Sequence, residues 1–197
     1  MKYVIMANGK GLRWNNYGGH TKHLISIENE TLLERTNRLI KEVDEKANVI
    51  ISSFREEYDR FGIPRHTPVH NEYEIDRFPA ELFDEPVCFL YGDVYYTPEA
   101  ISLIMKAQPE KYEFFGNAKC IIAAVFVDYE MLKAELLSYR AEIVAGRAPD
   151  GKGWQFYHRL EGMPLEGKAY ANNFTFIEDI SQDFNLPEEL AEFLKTR

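Results

Sequence analysis

The feature that most constrains this chain is a set of short runs rich in apolar residues at residues 3–7, 49–52, 87–91 and 121–127. Runs of this length without polar alternation fit strands covered on both faces, as in a parallel or mixed sheet. Helical spacing fills the intervals. Leu32, Leu33, Thr36, Leu39, Ile40 and Val43 share one stripe, and Thr31 with Glu34 reads as a capping box. Thr97 before Pro98 predicts a helix start, and Asp128 caps another helix that Gly146 stops. A last helix is predicted over residues 187–194. Strand and helix alternate through two-thirds of the chain, which predicts one α/β domain. Residues 147–167 are richer in Gly, Pro and aromatics and read as an irregular insertion or lid.

A chain of 197 residues with 45% hydrophobic and 28% charged residues is a globular mix that needs no disulfide or metal to fold. Its two cysteines, Cys88 and Cys120, both lie in apolar runs. They are expected to be reduced core thiols, which points to the cytoplasm. The longest apolar stretch, residues 120–127, is far short of the roughly 20 residues that span a bilayer. No membrane association is therefore expected, and residues 1–7 read as a buried first strand instead of a signal sequence.

The net charge of −9 argues against nucleic-acid binding. Its distribution is uneven: residues 1–27 carry Lys2, Lys10, Arg13 and Lys22 with no acid, and the other 170 residues sum to −13. A small cationic segment in an acidic protein suits a localised anion such as a phosphorylated metabolite. Within it, Asn8-Gly9-Lys10-Gly11-Leu12-Arg13 directly follows the first apolar run. Glycines let the backbone approach a ligand, and successive N–H groups can surround phosphate oxygens. A Walker A loop is absent, and Trp14 stands where a dinucleotide fingerprint needs a third small residue. The remaining pattern is G-x-G-x-R with Lys22 nine residues on.

That pattern resembles the nucleotidyltransferases that join a nucleotide to a sugar phosphate or another phosphorylated small molecule, including cytidylyltransferases and the molybdenum-cofactor enzymes. The resemblance continues at Leu90-Tyr91-Gly92-Asp93-Val94, similar to the family's strand end with a metal-binding aspartate, and at residues 176–183, similar to its closing strand. Asn8 and Thr21 depart from the family's usual small residue and proline. The resemblance implies a three-layer α/β sandwich around a mostly parallel mixed sheet, Rossmann-like and of the nucleotide-diphospho-sugar transferase (GT-A) type, with residues 1–197 as one domain and 147–170 as an acceptor-side insertion or lid. It implies that Ala7, Asn8, Gly9, Lys10, Gly11, Leu12, Arg13 and Lys22 bind nucleotide. Arg13, Lys22 and Asp93 would be catalytic, and Asp93 and Asp179 would hold Mg²⁺. CTP is the favoured nucleotide.

The acceptor side is less marked in the sequence. Tyr95, Trp154, Arg159, Lys168 and Asn173 are candidate acceptor contacts, since aromatic faces suit a sugar or a quaternary ammonium and the polar groups suit a phosphate. No protein partner is indicated, and homodimerisation is left open. Two histidine pairs, His20 with His23 and His66 with His70, lack the companions a zinc site needs. No nucleophile elbow or reactive-cysteine context supports a hydrolase. The competing readings are a glycosyltransferase of related fold, against which Asp93-Val94-Tyr95 stands where an Asp-x-Asp motif is expected, and a non-catalytic nucleotide-binding protein.

Overall fold

The computed structural model describes residues 1–11, 13–14, 17–19 and 21–196. Leu12 and His20, both singled out above, lie outside the described residues. In chain order the first strands are β1 (Lys2–Met6), β2 (Ser26–Ile27), β3 (Glu30–Thr31), β4 (Asn48–Ser52), β5 (Arg65–His66) and β6 (Val87–Tyr91). There follow β7 (Val94–Tyr95), β8 (Tyr112–Gly116), β9 (Ile121–Phe126), β10 (Phe174–Phe176) and β11 (Gln182–Asp183).

Seven of these form one sheet in the order β10-β8-β9-β6-β1-β4-β5. β1 lies parallel between β4 and β6, with Met6 opposite Ser52 on one side and Tyr91 on the other. β9 alone among these strands runs against its neighbours, antiparallel to both β6 and β8. The chain therefore leaves β1 first toward β4 and later returns to β6 on the opposite flank. In open α/β sheets such a reversal opens a crevice at the carboxyl ends of the strands.

Helices cover both faces. Leu33, Leu39 and Ile40 of α1 (Leu32–Val43) and Ile101 and Ile104 of α2 (Pro98–Lys106) pack on one face with Ile5 and Leu90. Leu132 and Leu136 of α3 (Tyr129–Val144) and Phe156 and Tyr157 of α4 (Gly153–Leu160) pack on the other with Val4 and Phe89. Successive strand residues alternate between the two cores, as the pleat requires. A third, smaller cluster joins Trp14, Tyr95, Phe184 and Phe193, the last from α5 (Pro187–Lys195). The result is the three-layer sandwich with a mostly parallel mixed sheet that the sequence predicts.

Local signals mark the starts of three helices as expected: Thr31 and Glu34 form a reciprocal capping box, and Thr97 and Asp128 accept from the backbone N–H of Ala100 and Met131. No apolar run announces the short strands β2, β3, β5 and β7, and the segment 176–183, expected as one closing strand, is divided between β10 and β11. Two further elements differ from the sequence reading. Residues 153–160, expected to be irregular, form α4, whose Phe156 and Tyr157 are fully buried. β8 has no counterpart among the apolar runs, because Glu113 and Gly116 interrupt its pattern. Cys88 is buried in β6, whereas Cys120 sits in the turn before β9; both are free thiols. Among the described residues no helix is long and apolar enough to cross a membrane.

Candidate functional site

The loop after β1 is fastened at its root. Ala7 is buried, its N–H donating to the Ser52 carbonyl and its own carbonyl accepting from Ser53. The Asn8 amide donates to Ser52 Oγ and accepts from the Phe54 N–H. These bonds tie the carboxyl ends of β1 and β4 together, so Ala7 and the Asn8 side chain anchor the loop at its root. This anchoring accounts for the asparagine that stands there in place of a small residue. The free part of the loop begins at Gly9. Gly11 has φ 62°, a left-handed conformation that favours glycine, and its carbonyl accepts from Trp14 N–H to close the turn.

Lys22 comes from the turn after this loop, yet its ammonium is buried against the Asp93 carboxylate, each side chain only 7% exposed. A Cβ at Gly9 would lie 3.6 Å from Lys22 Cε and 3.9 Å from an Arg77 guanidinium nitrogen, so the loop sits directly over both cations. Asp93 is placed by Gly92, whose N–H donates to the Met6 carbonyl at 3.0 Å. A side chain at Gly92 would meet that same carbonyl at 2.9 Å, so glycine is what lets β6 end against β1. Burial pushes the Asp93 carboxyl upward, but Lys22, His23 and Arg77 outweigh it and hold the group at about 2. Burial also pushes His23 down to about 3, and its Nδ1 lies 3.1 Å from the Tyr58 hydroxyl. His23 is therefore neutral at physiological pH.

A cleft of about 380 Å³ opens at this end of the sheet. Arg13, Arg77, Asp93 and Asp183 line it, with Lys119, Lys152 and Lys168 farther along. The sequence reading names Asp179; the structure places Asp183, and not Asp179, on this cleft. β11 pairs antiparallel with β7, placing Asp183 opposite Val94, and the Phe184 N–H donates to the Asp93 carbonyl at 3.0 Å. Two carboxylates from distant parts of the chain thus face one cleft. Asp179 instead accepts from Thr97 Oγ1 and from the Ser181 N–H, bracing the start of α2, and it does not line the cleft. Arg13 donates to Asn185 Oδ1 at 2.7 Å, and the Asn185 amide donates in turn to Asp183. The basic loop and the second carboxylate are thereby connected. Lys10 is exposed.

The acceptor candidates divide. Trp154 and Lys168 line the cleft. Tyr95 does not: it is buried in the third core cluster with the Arg35 guanidinium 4.0 Å from its ring centroid. Arg159 is held by Glu142 on α3 at 2.9 Å and lies over the Tyr139 ring. Asn173, at φ 51°, donates to Glu161. None of these three lines the cleft, and each is engaged by a partner elsewhere. Arg77, Lys119 and Lys152 were missed in sequence because turns and helix starts carry no signature that separates a lining lysine or arginine from a solvated one. A wider groove of about 730 Å³ along α2 contains none of the loop or carboxylate residues.

Among the described residues no group of three or more His, Cys, Asp and Glu side chains is placed to hold a metal by itself. His23 turns to Tyr58, His66 lies 2.9 Å from Glu81, and His70 3.5 Å from Glu72. Burial, with Asp183 next in effect, pushes the Cys120 thiol well up, which leaves it unreactive.

No family model and no curated protein matches the sequence. Solved structures do. A CTP:phosphocholine cytidylyltransferase from Streptococcus pneumoniae superposes with a TM-score of 0.66 at 13% identity, over 99% of this chain and 98% of that one. The chain has the nucleotidyltransferase fold. A 4-diphosphocytidyl-2C-methyl-D-erythritol synthase from Anaerococcus prevotii gives a TM-score of 0.64 at 14% identity, covering 100% and 98%. An inositol-1-phosphate CTP transferase from T. maritima gives 0.61 at 10% identity, covering 98% and 94%. The nucleotidyltransferase fold thus extends over nearly the whole chain, at identities too low to fix which residues are shared.

Proposed function

We propose that this chain is a Mg²⁺-dependent nucleotidyltransferase that transfers a nucleotidyl group, CMP by preference, from a nucleoside triphosphate to a phosphorylated small molecule. The observation that carries the reading is the meeting of the glycine loop, Lys22 and Asp93 at the reversal point of the sheet, with Asp183 beside them. The cytidylyl chemistry named for the three solved structures above supports the choice of base.

An oxygen of the acceptor phosphate attacks the α-phosphorus, the α–β bridging P–O bond breaks, and pyrophosphate leaves. The attacking oxygen is already ionised above the second phosphate pKa, near 6, so no general base is needed. The neutral, buried His23 agrees with a site that moves no proton. What the reaction does need is neutralisation and alignment of two polyanions. Gly9 and Gly11 allow the loop backbone to wrap the triphosphate. Arg13, whose planar fork suits two phosphate oxygens, turns from Asn185 to hold it. Lys22 leaves Asp93 for an α-phosphate oxygen, so that its charge follows the reacting centre.

Asp93 and Asp183 fit Mg²⁺, because two hard carboxylates without a third protein donor leave coordination positions for water and phosphate oxygens. A bound ion supplies charge stabilisation to the phosphates at the centre. A pyrophosphate-release screen of the four ribonucleoside triphosphates against phosphocholine and a panel of sugar phosphates tests the reading. Release with at least one pair, fastest with CTP, is expected; no release with any pair contradicts it.

A further inference from the structure

The two flanks of the cleft differ in chemistry. β6 ends at the Asp93 carboxylate, and the glycine loop rises from β1 on one side of it. On the other side Leu90 of β6 lies opposite Ala123 of β9, which places the 117–120 turn and Lys119 at the same edge of the sheet. Lys152 immediately precedes α4, and Lys168 follows that helix, its ammonium donating to the Lys119 carbonyl at 2.6 Å. Trp154 and Tyr170 complete this flank.

The charges are not balanced alike. Every carboxylate lining the cleft has an internal partner. Lys22 holds Asp93, and Arg77 holds Glu74 at 2.7 Å. Asn185 donates to Asp183, and the Asn185 and Leu186 N–H groups donate to Glu189. None of Lys119, Lys152 and Lys168 has a carboxylate within ion-pair distance among the described residues, in a chain whose net charge is −9. Asp183 and Glu189 are met only by neutral donors, but Arg13, Arg77, Lys119, Lys152 and Lys168, with Lys22 against Asp93, outnumber the four lining carboxylates, and three of these cations stand on the flank away from the glycine loop. Such a flank attracts anions and repels a quaternary ammonium.

We infer that Lys119, Lys152 and Lys168 select an acceptor bearing a second anionic group, a carboxylate or a further phosphate, in addition to its reacting phosphate. This assignment rests on the nucleotidyl-transfer reading for the identity of the flank as the acceptor side. It disfavours phosphocholine, whose second charged group is a cation. Trp154 and Tyr170 then face the carbon skeleton between the two anionic ends.

Calorimetric titration of the whole protein with four matched probes tests the inference without requiring turnover. The probes are glycerol phosphate, phosphoglycerate, bisphosphoglycerate and phosphocholine. Phosphoglycerate and bisphosphoglycerate are expected to bind roughly tenfold or more tighter than glycerol phosphate, with phosphocholine weakest. The ratio between the first two tells whether the second group is read as a carboxylate or a phosphate. Lys152→Met and Lys168→Met should each erase most of the preference while glycerol phosphate binding changes little. Equal affinities, tightest binding of phosphocholine, or no binding by any probe would overturn the inference. Expected preferences without pyrophosphate release from any pair would sink the catalytic reading and leave the anion site standing. Release that is fastest with phosphocholine would do the reverse.

Discussion

Lys22 and Asp93 form a buried ion pair that each needs the other to sustain. Breaking such a pair by removing one partner leaves an uncompensated buried charge, at a cost of about 3–5 kcal/mol. Lys22→Met and Asp93→Asn should therefore each lower the urea midpoint, and the double variant should lose clearly less than the sum of the two. Strict additivity would mean that the pair does not form in solution. On the proposed reading Asp93→Asn should also lower turnover by about 10²–10³-fold, since it removes charge that would hold the metal. His23 gives a separate test at the same scale. Its pKa is about 3 in the folded chain and about 6.5 unfolded, so between those values the unfolded state binds more protons and stability falls as pH falls. His23→Asn, which retains a polar group toward Tyr58, should flatten the dependence of unfolding free energy on pH between 6.5 and 3 by up to about 1.4 kcal/mol per unit. An unchanged slope would show that His23 is not buried neutral.

Within the elements, α4 does more than fill the second core. His158 Nε2 lies 2.7 Å from the Ala169 carbonyl and its Nδ1 faces the Pro164 carbonyl, while the Tyr157 hydroxyl donates to Asn172 and accepts from the Ala171 N–H. The loop that brings Lys168 and Tyr170 to the cleft is thus clasped by two side chains of one helix. His158→Ala should make Lys168 roughly tenfold more susceptible to brief trypsin digestion with far-ultraviolet circular dichroism unchanged; unaltered cleavage would show that the clasp does not order the loop. This helix was not legible in the sequence. Its N-cap is Lys152, with no side-chain bond to a helical N–H, and Gly151, Gly153 and Pro164 bracket it like a loop. α1, α2 and α3 were legible because Thr31, Thr97 and Asp128 announce them locally. The same contrast holds in the site. Gly9, Gly11, Lys22, Gly92 and Asp93 belong to contiguous motifs whose residue types reveal their chemistry. That Asp183 and not Asp179 faces the cleft could not be read without the register of β11 on β7, a pairing between segments some 90 residues apart.

At the scale of the whole molecule, the sheet order places the candidate site more than any single contact does. β1 ends between two parallel neighbours, so its loop and the end of β6 open onto a common crevice, and β9 brings a second cationic flank to the same edge. Two polyanions approaching from opposite flanks of one buried ion pair is the arrangement that nucleotidyl transfer requires. The most direct measurement is phosphorus NMR of the protein with Mg²⁺, CTP and an acceptor phosphate from the screen. Free pyrophosphate and a new pair of coupled diphosphate resonances should grow together, and both should be nearly absent with Lys22→Met. Pyrophosphate appearing with CMP alone, or equal product from the Lys22→Met variant, would contradict it.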